Sequence, residues 1–250
     1  MNTLGILKAA FILVLAMLAG ATGRAGNLEI DLESGAVFSG YNDIRIPNET
    51  GTDISLTDDF KSDTEIYYRI KLNYRAGDRH FFSALYAPLT VDASGVADDA
   101  VSFEYVDFPA GSEITAKYVF NSYRLTYRYT VADRPDYNLG LGFTAKIRDA
   151  EVSLKSRELK SVKENVGFVP LVSFHLALFP DRDFGLVIDG DALAAPQGRA
   201  EDVLAAVTYK IYPNAQLRAG YRILEGGADV DEVYSFALLH YLSLGVKISF

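Results

Sequence analysis

The 250-residue chain has no cysteine and no tryptophan. A disulfide framework, a cysteine-ligated zinc site and thiol catalysis are excluded at once. Three histidines leave little material for a histidine-rich metal centre. Positive charge is also short: Lys and Arg number 24 against 33 Asp and Glu, a formal net charge of −9. Nucleic acid is not an expected partner, because neutralising phosphates needs clustered cations. No run of 18 apolar residues occurs, so no membrane-spanning helix is expected. What the chain does have is period-two alternation over most of its length.

The first residues form a targeting segment. Lys8 precedes the uncharged, mostly apolar run Ala9 to Ala21, and Gly23-Arg24-Ala25 supplies the small residues of a cleavage site. The expectation is a cleaved secretory signal over 1–25 and a mature domain over 26–250, made more acidic by the loss of Lys8 and Arg24.

In the last segment Phe250, Ile248, Val246, Leu244, Leu242, Leu238, Phe236 and Tyr234 share one parity, with Ser249, Lys247, Gly245, Ser243 and Tyr241 on the other. The pattern returns around Leu217 to Ile223, Val203 to Ile211, Phe184 to Ile188, Val166 to Leu178, Leu139 to Ile147, Tyr123 to Tyr129, Ile66 to Tyr74 and Leu28 to Leu32. A weaker apolar face, Leu85, Ala87, Leu89 and Val91, runs beside Tyr86 and Pro88. These segments read as ten strands, with eight or twelve as alternatives, and many exceed the usual strand length of about 5–6 residues. Four connections are short: 76–79, 132–136, 180–183 and 213–215, each holding Gly, Pro, Asp or Asn. The others, 43–63, 92–113, 154–162, 194–201 and 225–232, are mostly longer and more polar. Val101 to Phe108 reads as half a hairpin with Ile114 to Phe120, standing above the barrel.

A soluble β-sandwich would also alternate. Strand length, single charges spaced between apolar neighbours, and aromatics near strand ends (Tyr68, Tyr74, Tyr129, Tyr209, Phe179, Phe184, Tyr234, Phe250) favour a closed antiparallel transmembrane β-barrel. Ten is even, so both mature termini are expected on the short-turn side, facing the periplasm.

With its leader Ala9 to Gly20, its amphipathic strands and the terminal segment Tyr241 to Phe250, the chain resembles the small outer-membrane β-barrel proteins of Gram-negative bacteria. The resemblance is to the class and to no single enzyme family. It implies an outer-membrane location, outer-membrane lipid and lipopolysaccharide as surroundings, and Phe250 as a signal to the barrel assembly machinery. A monomer is favoured, and no cofactor or metal is called for.

The inward parity carries Glu29, Asp31, Glu33, Glu65, Asp189, Asp191 and Asp202 against Arg69, Lys71, Arg124, Arg128, Lys146, Arg148, Lys210, Arg218, Arg222 and Lys247, with His175 among them. A barrel of eight to ten strands is narrow enough for side chains to fill, and buried charges must be paired. The expectation is therefore a charged plug and a structural or interaction role at the cell surface. A narrow channel is the first alternative and a hydrolase acting on lipid A or surface peptides the second. In strand number and size the chain resembles the outer-membrane aspartyl-type proteases, but no histidine falls near the outer rim beside Asp189 and Asp191. Ser173 and His175 share a parity without matching a lipid A deacylase motif, and His240 takes the lipid-facing parity. The long connections 43–63 and 92–113 are acidic and lack the regular oxygen spacing of a calcium loop.

Overall fold

The computed structural model describes residues 27–179, 181 and 183–250. The signal segment over 1–25 lies outside the described residues. The strands are β1 (Leu28–Arg45), β2 (Ile54–Ser55), β3 (Lys61–Ser62), β4 (Glu65–Ala76), β5 (His80–Ala87), β6 (Thr90–Val96), β7 (Val101–Phe103) and β8 (Val106–Phe108). They continue with β9 (Glu113–Asp133), β10 (Tyr137–Lys155), β11 (Lys160–Leu178), β12 (Phe184–Ala195), β13 (Gly198–Tyr212), β14 (Ala215–Val230) and β15 (Val233–Ser249).

Antiparallel pairing runs from β9 through β10 and onward to β15, and β15 returns to β1, with Glu29 opposite Ser249 and Arg45 opposite Tyr234. From β1 it passes through β4 and β5 back to β9, closing the sheet. β5 and β6 both pair with β9, at Ser122–Tyr129 and at Glu113–Val119. Pro88 and Leu89 break the strand between them. They act as one stave, so the barrel has ten staves. Closure leaves each stave a neighbour on both sides, which is how a barrel satisfies its backbone groups.

Alternation then sorts the side chains in a sense opposite to that of a water-soluble protein. The outward parity carries Ile66, Phe143, Phe168 and Leu244, the last three 71%, 64% and 66% exposed. The inward parity carries buried arginines and carboxylates. A 12-residue strand such as β12 tilted near 40° rises about 30 Å, enough for a hydrocarbon layer. β9, with 21 residues, overshoots it.

The short connections form one end, hereafter the turn end. At one of these turns Asp181 accepts the amide protons of Phe184 and Asp183, at 2.7 and 2.8 Å. Those two bonds hold its carboxyl below the usual carboxylate range. At the other, loop end, the structure departs from the sequence reading in three ways. Segments 154–162, 194–201 and 225–232 are not open loops: the strands continue to Lys155 and Lys160, to Ala195 and Gly198, and to Val230 and Val233. Val101 to Phe108 does not pair with Ile114 to Phe120. It is its own hairpin, β7 on β8, turning at Glu104 and Tyr105, both of positive φ. Ile114 to Phe120 extends β9 instead. Finally, Leu85, Ala87, Leu89 and Val91 face inward and are buried. Their register partners explain this, since Leu85 stands opposite Lys71 and Arg124 on the inner face, while Tyr86 meets Ile70 and Tyr123 outside.

β1 contains a bulge between Ser39 and Tyr41, so that Gly40 is the extra residue. Beyond it the inward parity of β1 switches from odd to even, placing Asn42, Ile44 and then Ile46 inside. Earlier in β1, Gly35 has φ +149°, and a Cβ there would lie 1.9 Å from the carbonyl oxygen of Leu242. Only glycine fits this crossing of β1 and β15. Gly35→Val is expected to destabilise the barrel by about 3 kcal/mol, read as a lower urea midpoint for the folded band on unboiled gels. An unchanged midpoint would contradict the reading of this contact.

Candidate functional site

β1 carries Glu29, Asp31 and Glu33 on the inward parity, climbing from the turn end. Closure sets them between two basic strands. Asp31 stands opposite Lys247 on β15 and Lys71 on β4, and Glu33 opposite Arg69. Farther round the barrel stand Arg124 and Arg128 from β9, Asp189 and Asp191 from β12, Asp202 from β13, and Arg218 and Arg222 from β14.

The closest-knit part is centred on Asp202, which is 3% exposed. It meets Arg69 at 2.9 Å and Arg124 at 2.6 Å, and it also pairs with Arg222. Arg124 reaches Asp191 at 2.9 Å, and Thr144 donates to the other Asp191 oxygen at 2.7 Å. Arg222 donates to Glu33 through two nitrogens, each at 2.8 Å. Arg218 bridges Glu33 at 2.7 Å and Asp31 at 2.8 Å. Four arginines and four carboxylates from six staves thus join across the interior. Guanidinium suits this use, because its planar fork serves two carboxylates at once.

Nearer the turn end lies a second group around Asp189. It meets Arg128 at 2.5 Å, His175 at 2.9 Å and Lys71 at 3.2 Å. Glu29 pairs with Lys247 at 3.5 Å and accepts from Asn73 at 2.7 Å. These residues line a polar cavity of about 470 Å³, which also reaches Tyr212, Pro213 and Asn214 at a turn. The cavity therefore opens at the turn end.

Above the arginine network the interior changes character. Val37, Tyr67, Leu89, Val91, Leu224, Leu239 and Tyr241 form a buried apolar layer. The Tyr67 and Tyr241 rings meet edge to face at 4.7 Å, and the Tyr67 hydroxyl donates to Glu33 at 3.1 Å, tying this layer to the network. Higher still is a larger apolar core. The 46–60 segment brings Ile46, Ile54, Leu56 and Phe60, and the β7–β8 hairpin brings Phe103 and Phe108, onto Ile44, Ile114, Ala116, Val152, Leu154 and Ala237 of the wall. Phe103 and Phe108 are both fully buried. The hairpin is also held by Lys163 on Glu104, at 3.2 Å. Together they cap the loop end.

Of the inward charges read from the sequence, Lys146 is buried with its ammonium 4.6 Å from the centre of the Phe120 ring. Arg148 donates to Asn165 at 2.6 Å. Glu65 and Lys210 enter none of the ion pairs among the described residues, and Lys210 is exposed at the cavity rim. The sequence reading missed Thr144, Asn73 and Tyr67 as partners of the carboxylates. It also missed the apolar layers. The signal was available in Val37, Leu224 and Leu239, apolar residues on the inward parity.

The three histidines lie apart. His175 is in the cavity, and Ser173 beside it directs its hydroxyl to the Gly190 carbonyl at 3.5 Å rather than to the imidazole. His80 is exposed and hydrogen-bonded to the Tyr127 hydroxyl at 3.0 Å. His240 faces outward between Phe38 and Tyr221, with ring centres 5.3 and 5.9 Å away, and bonds to the Tyr221 hydroxyl. None faces the interior at the loop end. Among the described residues no group of His, Asp and Glu has the geometry of a metal site.

No family model matches the chain, and no curated protein matches it. Solved structures do. The outer membrane protease OmpT of Escherichia coli aligns with 91% of this chain and 98% of its own, at 12% identity and a TM-score of 0.54. The transport unit of the autotransporter AIDA-I from Escherichia coli aligns at 8% identity, with 92% of each chain covered and a TM-score of 0.45. An outer membrane channel from Pseudomonas putida F1 aligns at 11% identity, covering 91% of this chain and 97% of that one, with a TM-score of 0.44. The likeness to the first is one of fold: a closed antiparallel barrel of the outer-membrane type.

Proposed function

We propose that this chain is an outer-membrane β-barrel with a closed lumen, serving as a structural or interaction platform at the cell surface rather than as a pore. In this reading the turn end and both mature termini face the periplasm, and the capped loop end faces out. The outward apolar face meets lipid and, in the outer leaflet, lipopolysaccharide. Phe250, exposed at the end of β15, serves the assembly machinery during insertion.

One observation carries the closed-lumen reading: an arginine–carboxylate network and two apolar layers lie in series between the turn-end cavity and the loop end. An ion crossing this path would displace paired charges and then shed its hydration among apolar side chains. The protease reading loses support from the same geometry, because no histidine lies at the interior of the loop end and Asp189 with His175 lies at the other.

Purified protein inserted into planar bilayers is expected to give no steady current in molar salt. Reproducible single-channel steps would reject the closed lumen and favour the narrow channel.

A further inference from the structure

β11 pairs with β10 over its whole length, from Lys160 opposite Lys155 to Leu178 opposite Tyr137. Its other edge pairs with β12 only from Val172 to Leu178. β12 itself ends at Ala195, and its last residues pair with β13 alone. The twelve residues 160–171 therefore rise past the low wall of the β12–β13 hairpin with one edge bare. No backbone hydrogen bond from another described segment reaches that edge. A bare edge of this length, about 40 Å, is a template for another strand.

We propose that the upper edge of β11 captures an extended peptide of another protein by strand addition, and that the peptide is acidic where it meets the hairpin tip and apolar near the barrel wall. The charge argument is local. The tip carries exposed Lys155, Arg157 and Lys160 against Glu158, and Glu164, exposed farther down the edge, confines the basic stretch to the tip, while the other long connections, 43–63 and 92–113, are acidic. An acidic segment is thus repelled over most of the loop end and drawn to this edge. The apolar argument is equally local: Val166 and Phe168, lower on the same strand, are 48% and 64% exposed and offer alternate side-chain contacts. A second copy of this chain does not fit. Two barrels in one membrane are related by an axis along the membrane normal, so edge strands tilted by roughly 40° would cross near 80° and could not form a ladder.

The test uses the full mature chain in non-ionic detergent, and so does not depend on which end faces out. The probe is a labelled twelve-residue peptide, Thr-Val-Thr-Phe-Thr-Val-Thr-Thr-Thr-Glu-Thr-Glu, with a control N-methylated at alternate residues. Anisotropy is expected to show saturable binding of the first peptide and none of the control. The double variant Arg157→Glu with Lys160→Glu is expected to weaken binding about tenfold, with gel mobility showing that the barrel is intact. Hydrogen exchange is expected to find about half of the 160–171 amides fast in the free chain and slowed by peptide. The proposal is overturned if those amides are already slow without peptide, if the control binds as well as the probe, if charge reversal leaves binding unchanged, or if protection grows with protein concentration alone.

Discussion

Asp202→Ala is expected to lower the stability of the folded barrel by about 3–5 kcal/mol, the cost of removing one partner from a buried charge cluster. Arg69, Arg124 and Arg222 all converge on this carboxylate. Without it, three guanidiniums crowd a volume whose remaining anions, Glu33 and Asp191, are already engaged. Uncompensated charge on buried guanidiniums is what makes the loss large; the lost hydrogen bonds are the smaller part. Urea titration of the protein refolded in micelles, followed by gel mobility, reads the effect. Lys210→Ala supplies the comparison, because that side chain is exposed and outside the ion pairs, and it should shift stability by no more than about 0.5 kcal/mol. Equal effects of the two substitutions would show that the network does not hold the barrel together.

Opening the lumen is expected to need damage to more than one layer. Phe103→Ala with Phe108→Ala removes two fully buried rings from the loop-end core, where each truncation costs about 3–5 kcal/mol. The hairpin should loosen, and added protease should cut within 98–111. Current should still be absent, because the Tyr67 and Tyr241 layer and the arginine network remain beneath. Adding Tyr67→Ala, Tyr241→Ala and Arg222→Ala is the combination expected to let ions through. Current from the Phe103 and Phe108 pair alone would place the whole barrier in the cap and remove the network from it. A silent fivefold variant that still folds would mean the walls have collapsed inward.

The two results together separate roles that one static arrangement combines. The Asp202 cluster ties six staves to one another across the lumen, so its loss should be felt as stability. The β7–β8 hairpin packs on the wall at its loop end and adds no strand to the barrel ladder, so its loss should be felt as local exposure. Local opening of this kind is expected where a segment is held by side-chain packing without a continuous ladder.

Much of the barrel was legible in the residues alone. Alternation is a local property: once Leu28, Ile30 and Leu32 face one way, Glu29, Asp31 and Glu33 must face the other. The same logic gave ten staves, four tight turns and an inward set of acids and bases. It failed where local pattern and long-range pairing part company. Gly40 adds one residue to β1 and reverses its parity above, and Leu85 to Val91 are apolar yet inward. No run of residues announces either one, because each is fixed by the register of a neighbouring strand. Parity also put all the lumen charges in one enclosure without saying that Asp202 pairs with three arginines while Glu65 and Lys210 enter no ion pair among the described residues. Those choices depend on distances between strands far apart in the chain, such as those of Arg222 and Glu33, 189 positions apart. Periodicity thus settled which way most side chains point, the Gly40 bulge and the 85–91 face excepted. Only closure of the sheet, and the folding of 46–60 and 97–112 into its mouth, decided what each one meets.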